Sequence, residues 1–269
     1  RESATSQSQR QHSNSAMTPY LLCESPSPGV LLLTLNRPER KNALVHEMTN
    51  AFIDAIEASN DDPDIRAIVV TGAGGNYSSG GDLTEFQQLD LRTDPPVGQR
   101  MMEALNDATK PLIAAVEGLA VGGSATMLLH FDLVYAARSA RFRLPFTHLG
   151  TCPEGASSYY LPLIAGYRKA AELLMLGEYF GVDTASEVGM VTQATADGEA
   201  LQRALASAQA IAAKSVDSIR LTKMLMREGH RDAVRRVIAR EHGLFTERLH
   251  SPEVQASVAA MSSRSKVPT

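Results

Sequence analysis

Twice in this chain a β-branched or apolar run gives way at once to a glycine-rich stretch. Ile65–Thr71 (IRAIVVT) leads into Gly72–Gly81, and Leu112–Val116 leads into Gly118–Gly123. Runs without polar alternation read as strands buried on both faces, which is the habit of parallel sheets. Parallel strands need helical crossovers, and the chain supplies them. Val45, Met48, Phe52, Ile53 and Ile56 recur at helical spacing up to Asp61-Asp62-Pro63, and Ser124–His130 suits a short helix. Val30–Leu35, stopped at Asn36-Arg37-Pro38, and Leu133–Ala137 read as further strands. Strands alternating with helices predict an α/β fold.

The organisation changes along the chain. Residues 1–16 are polar, rich in Ser and Gln, and read as a disordered extension or a cloning remnant ahead of Met17. Residues 17–195 carry the α/β pattern, with a polar, proline-containing loop expected near 90–100. Residues 196–269 are helical in composition, and three helices are expected between 198 and 250, as a lid, an oligomer contact, or both. With 43% apolar and 21% charged residues the composition is that of a soluble globular protein. A net charge of −4 gives no electrostatic case for nucleic acid or an anionic membrane. No apolar run is long enough to span a bilayer, and the N-terminal stretch has no apolar signal core. Cys23 and Cys152 form no metal-ligand spacing and read as free thiols in a reducing compartment, which favours the cytoplasm.

The glycine-rich turns are where chemistry is expected. Neither has the dinucleotide spacing or the phosphate-loop lysine. Each on its own reads as a tight turn. Together they offer something more, because glycine lets backbone approach a ligand closely. A turn that feeds a helix also leaves N–H groups free. Two such donors converging on one oxygen would form an oxyanion hole.

Four motifs in order carry a family resemblance. They are Asn36-Arg37-Pro38 with Asn42-Ala43-Leu44; Ser79-Gly80-Gly81-Asp82-Leu83; Lys110-Pro111 with Ala114-Ala115-Val116-Glu117-Gly118; and Gly122-Gly123. Over residues 20–195 the chain resembles the crotonase (enoyl-CoA hydratase/isomerase) superfamily. The resemblance implies a spiral of ββα units with a helical C-terminal region, assembled as a homotrimer or hexamer, acting on acyl-CoA thioesters. No cofactor or metal is implied beyond the CoA of the substrate. It places the oxyanion donors on the N–H groups of Gly81 and Gly123. It sets CoA adenine along Ser79, Gly81, Asp82 and Leu83, and CoA phosphates near Arg40 and Lys41, which otherwise read as solvated loop charges. Gly122, Thr126 and Phe146 fall at substrate-contacting positions.

Within that family the carboxylates choose the reaction. The two glutamates between which hydratases hold water match Thr126 and Phe146, and neither side chain can act as a general base. Glu154, in Pro153-Glu154-Gly155-Ala156-Ser157-Ser158, resembles the catalytic glutamate of the peroxisomal-type enoyl-CoA isomerases. The role implied is to carry a proton from C2 to C4 of a 3-enoyl-CoA. The plain alternative is a first-turn glutamate that complements a helix dipole. Another crotonase-type enzyme, hydratases included, and a non-catalytic acyl-CoA-binding protein stay open. Asp82 and Glu85 are expected to cap the next helix, Glu117 to be structural, and His148 to pack. Tyr159 and Tyr160 are expected either to line the acyl pocket or to fill the core.

Overall fold

The computed structural model of the chain describes residues 18–86 and 96–257. In chain order the elements are β1 (Leu21–Ser27), β2 (Val30–Leu35), α1 (His46–Asp61), β3 (Ala67–Gly72), α2 (Leu83–Phe86), α3 (Val97–Asp107), β4 (Leu112–Val116), β5 (Leu119–Val121) and α4 (Gly123–Thr126). There follow β6 (Leu133–Ala137), β7 (Arg141–Arg143), α5 (Ser157–Ala165), α6 (Tyr167–Ala171), β8 (Phe180–Gly181), α7 (Val182–Glu187), β9 (Gln193–Thr195), α8 (Ala200–Ala212) and α9 (Val216–Leu249). The expected N-terminal extension, residues 1–16, lies outside the described residues, as does most of the loop expected near 90–100, which ends where α3 begins.

The main sheet has the order β1-β2-β3-β4-β6-β9. β1 and β2 are an antiparallel hairpin, and from β2 to β9 all neighbours are parallel. The period of two along each strand divides the core. Val69, Ile113 and Ala115 face α8, whose Ala200, Ala204, Ala208 and Ala212 recur every fourth residue and bring its backbone close to the sheet. Ile68, Val70, Ala114 and Val116 face the other way, onto Met48, Phe52 and Ile53 of α1 and Met102 and Leu105 of α3.

Two expectations are corrected. The stretch Gly118–Gly123, read as a turn, contains β5, which pairs with β7 in a second sheet of order β5-β7-β8. Three residues between glycines are too few to show a strand period. The helical stretch 198–250 forms two helices, not three, because nothing divides α9 over its 34 residues. It holds no proline, and Gly229 and Gly243 are tolerated inside it at roughly 1 kcal/mol each. Lys223 ties this helix to the core. It is buried and donates to the Lys110 carbonyl oxygen and to Asp132 Oδ2, both at 2.7 Å. Burial pushes its pKa down to about 8, against the pull of Asp132. So anchored, α9 runs on until its last turns reach the glycine-rich turns. Among the described residues no helix is long and apolar enough to cross a membrane.

Candidate active site

The two glycine-rich turns are stitched together by backbone. The Tyr77 N–H donates to the Glu117 carbonyl oxygen (2.7 Å), Ser78 N–H to Leu119 O (2.8 Å) and Val121 N–H to Ser78 O (3.2 Å). The approach is close enough to demand glycine at position 80. Its φ is +90°, and a Cβ there would lie 2.5 Å from the Val121 carbonyl oxygen. Gly122 (φ +57°) then turns the chain into α4, with its own N–H held by Arg143 O. Among the described residues the N–H groups of Gly81 and Gly123 donate to no protein acceptor. Both glycines line one cavity of about 290 Å³.

Among the described residues three carboxylates border that cavity: Asp82, Glu85 and Glu154. Two are already engaged. Asp82 accepts from Arg37 Nη1 at 2.5 Å and from the Thr84 N–H at 2.9 Å. Burial works against its charge, but the Thr84 and Arg37 hydrogen bonds outweigh it and hold the carboxyl below the usual range. It caps the start of α2, as expected. Glu85 does not cap that helix; its Oε2 accepts from the His46 N–H (2.8 Å) and caps α1 instead.

Glu154 is different. It is 8% exposed, and burial first, then the nearby Glu241 charge, push its pKa up to about 7. Thr126 pulls the other way, but weakly. Its single hydroxyl proton is shared between the Glu154 carboxyl and the Gly123 carbonyl oxygen, 3.2 Å away. Oε1 stands 2.7 Å from where a Cβ on Gly123 would sit, so the carboxyl lies directly against the second turn.

The backbone around Glu154 excludes the first-turn reading. Gly155 (φ +68°) and Ala156 (φ +58°) are consecutive left-handed residues, and α5 begins only at Ser157. A left-handed alanine is strained and needs outside support. Glu241 of α9 supplies it, accepting from Ala156 N–H (2.6 Å), Ser158 N–H (3.0 Å) and the Ser158 hydroxyl. The Ser157 hydroxyl adds a bond to the Glu154 carbonyl oxygen (2.7 Å).

Ser79, Gly81, Asp82, Gly122, Gly123, Phe146 and Glu154 thus meet at one cavity, and Thr126 is buried against it. Arg40 and Lys41 are exposed beside it and do not line it. The side chain of Leu83 lies outside the described residues. His148 faces Glu178 (3.5 Å), away from Glu154. Tyr159 and Tyr160 do not line the cavity. Tyr159 Oη bonds His230 Nδ1 (2.8 Å), and Tyr160 packs edge-on against buried His130. Glu117 caps α8 through the N–H groups of Gly198 and Ala200, both 3.1 Å away.

The helical C-terminal region, expected as a lid, supplies the far wall through α9, but sequence reasoning did not find the residues that form it: His242, Phe245, Thr246 and Leu249. Positions 242, 245 and 249 share one helical face, which a period search finds, but nothing in their spacing ties them to Glu154.

The family model described as enoyl-CoA hydratase/isomerase matches residues 26–268. The chain is 36% identical to enoyl-CoA delta isomerase 2 of Homo sapiens over 249 residues, which is 88% of this chain but 61% of that protein. It is 35% identical to the enoyl-CoA hydratase EchA19 of Mycobacterium tuberculosis over 204 residues, covering 74% of this chain and 77% of the relative. The solved structure of Pseudomonas aeruginosa OdaA superposes with a TM-score of 0.88 at 36% identity, covering 91% of this chain and 99% of that one. The fold is therefore crotonase-like, and the chain belongs to the enoyl-CoA hydratase/isomerase family.

Proposed function

We propose that the protein is an enoyl-CoA isomerase that moves the double bond of a 3-enoyl-CoA to the 2-position. The observation that carries this reading is the carboxylate census of the cavity. Among the described residues Asp82 and Glu85 are held by donors, while burial leaves Glu154 with a pKa of about 7. Such a carboxyl takes and returns a proton with equal ease at neutral pH. Adding water needs a second acid–base group, and Thr126 and Phe146 stand where hydratases of this family would hold it.

In this mechanism the thioester oxygen sits on the N–H groups of Gly81 and Gly123. Glu154 removes a proton from C2, and the C–H pair forms the C1–C2 double bond of a dienolate as the carbonyl π pair moves onto the thioester oxygen. Negative charge gathers on the oxygen, where the two donors stabilise it. The dienolate collapses as the oxygen pair re-forms the carbonyl, the C1–C2 pair becomes the C2–C3 double bond, and the electron pair of the former C3–C4 double bond takes the proton from Glu154 at C4. Glu154 ends in its starting state, and no cofactor is needed beyond the CoA of the substrate. Arg40 and Lys41, exposed beside the cavity mouth, supply positive charge for the CoA phosphates. The exposed apolar side chains Leu163, Tyr167, Met175, Leu225 and Met226 supply surface for a homotrimer or hexamer, which light scattering on the purified protein tests.

Incubation with a 3-enoyl-CoA and, separately, a 2-enoyl-CoA tests the chemistry. The expected product of the first is the 2-enoyl thioester, with little 3-hydroxyacyl-CoA from either. Glu154→Gln should lower kcat by about 10²–10⁴-fold while leaving CoA-thioester binding nearly unchanged. Rapid formation of 3-hydroxyacyl-CoA would replace this reading with hydratase chemistry, and turnover of neither substrate would leave binding without catalysis.

A further inference from the structure

His242 is 4% exposed and lines the same cavity as Glu154. Its Nε2 is buried with no hydrogen-bond partner among the described residues. Leaving such a group unpaired costs about 1–3 kcal/mol, so a native structure that keeps one has a use for it. Glu154 Oε2 stands 3.6 Å away. Charge attraction does not hold the two together, because burial keeps the imidazole neutral, with a pKa down at about 4. The ring is confined instead. Gly98 of α3 abuts it, since a Cβ there would lie 3.1 Å from Cε1, and Phe245 flanks it at 6.4 Å between centroids. One residue earlier on the same helix, Glu241 bonds the Ala156–Ser158 backbone, two residues beyond Glu154. Imidazole and carboxyl therefore face each other across a fixed frame.

We infer that His242 is a positioning residue for Glu154: its neutral Nε2–H donates to Oε2, pins the carboxyl, and leaves Oε1, on the Gly123 side, as the oxygen that carries the proton. The inference rests on the proton-shuttle reading above. At 3.6 Å the bond is not yet made, and a closure of about half an ångström on substrate binding makes it. A neutral donor suits both states of the shuttle. Oε2 accepts equally whether Oε1 is bare or holds the proton taken from C2, so the imidazole neither gains nor loses a proton in the cycle. An imidazolium would instead hold Glu154 ionised and slow the return of the proton to C4. Pinning also keeps the acquired proton facing C4. A carboxyl free to rotate would present either oxygen and lose the proton to solvent.

The test uses a 3-enoyl-CoA deuterated at C2, with kcat, KM and the fraction of label recovered at C4 read together. His242→Phe keeps the ring and removes the donor; His242→Gln returns an N–H at similar reach. For His242→Phe the expected result is a kcat about 10- to 100-fold lower, KM within about threefold, and less label at C4. His242→Gln should recover most of the rate and the label transfer. Wild-type kcat and label transfer in His242→Phe would overturn the inference. So would a His242→Gln variant as impaired as His242→Phe, since the loss would then be one of packing. Glu154→Gln in the same assay separates the two readings: if it still moves label from C2 to C4 the shuttle itself is wrong, whereas if it is dead and His242→Phe is unimpaired only His242 has been misassigned.

Discussion

Glu154 and Glu241 are buried in the same corner of the molecule, one on the turn before α5 and one near the end of α9. Their surroundings differ in the number of donors. Glu241, 6% exposed, accepts from two backbone N–H groups and a hydroxyl. Among the described residues Glu154 has only its share of the Thr126 proton. Burial raises the pKa of both, but the Ser158 and Ala156 donors oppose it at Glu241, while the Glu241 charge adds to it at Glu154. The comparison separates an anchor from the carboxyl proposed to carry the proton. A carboxyl saturated with donors fixes geometry, and one starved of donors beside a second carboxyl keeps its proton near neutrality. Burial alone does not distinguish them.

Breaking the anchor should have the largest effect. Glu241→Ala leaves two buried N–H groups and a hydroxyl without an acceptor and removes the support of the left-handed Ala156. Unfolding in urea should show a loss of about 3–5 kcal/mol. Glu241→Gln is milder in volume but sets an amide NH₂ against a backbone donor. It also removes the negative charge that raises the Glu154 pKa. Because the ionised carboxyl is the base, the acid limb of kcat/KM, expected near pH 7 in the native enzyme, should move to lower pH. An unmoved limb would mean that Glu241 acts on Glu154 only through geometry.

Glu154 should behave in the opposite sense. Its folded pKa of about 7 lies above the ordinary 4.5. Between those values the native state holds a proton that the unfolded chain has released, so rising pH erodes stability across that window. Below pH 4.5 both states are protonated and the penalty is absent; above 7 it is complete. Glu154→Gln carries no such penalty, so it should be more stable than the native chain by on the order of 1–3 kcal/mol at pH 8, and equal to it at pH 4. Calorimetry at the two pH values checks this. Equal stability at both would mean that Glu154 is better satisfied than its surroundings indicate.

Gly123→Ala divides folding from catalysis. Its Cβ would come 2.7 Å from Glu154 Oε1, the far end of a flexible side chain. The carboxyl can swing aside at little expense to stability, but the displaced oxygen no longer faces C2 and C4. Melting temperature should change little while kcat falls about 10- to 100-fold. A large loss of stability instead would show the carboxyl to be as fixed as Glu241.

The contrast between the two carboxylates was only half legible in the sequence. The buried runs at β3 and β4 announce themselves because every residue is apolar or β-branched, and the glycines at 80 and 122 because no other residue suits their backbone. Glu154 is visible through its motif. Its environment is not, since Glu241 and His242 lie more than eighty residues away, and only the path of α9 brings them back. That path is set by single long-range contacts such as Lys223 with Asp132, which leave no periodicity in the chain. Glu85 shows the same limit. Its position after a turn suggests a local cap, and its carboxyl serves α1, 39 residues earlier.

The smallest expected effect is also the most direct measure of donor starvation. Thr126→Val removes the one hydrogen bond that lowers the Glu154 pKa, at nearly constant volume. With that donor gone the protonated carboxyl is favoured further, and the acid limb of kcat/KM should move to higher pH by about one unit or less, since one hydrogen bond is worth about 1 kcal/mol and a pKa unit 1.36. The rate at pH 9, where the carboxyl is ionised in either protein, should be nearly unchanged. The shift opposes that expected of Glu241→Gln, so the two variants bracket the native enzyme. A limb that stays in place in Thr126→Val would assign the hydroxyl proton wholly to the Gly123 carbonyl oxygen and leave Glu154 with no protein donor until His242 closes on it.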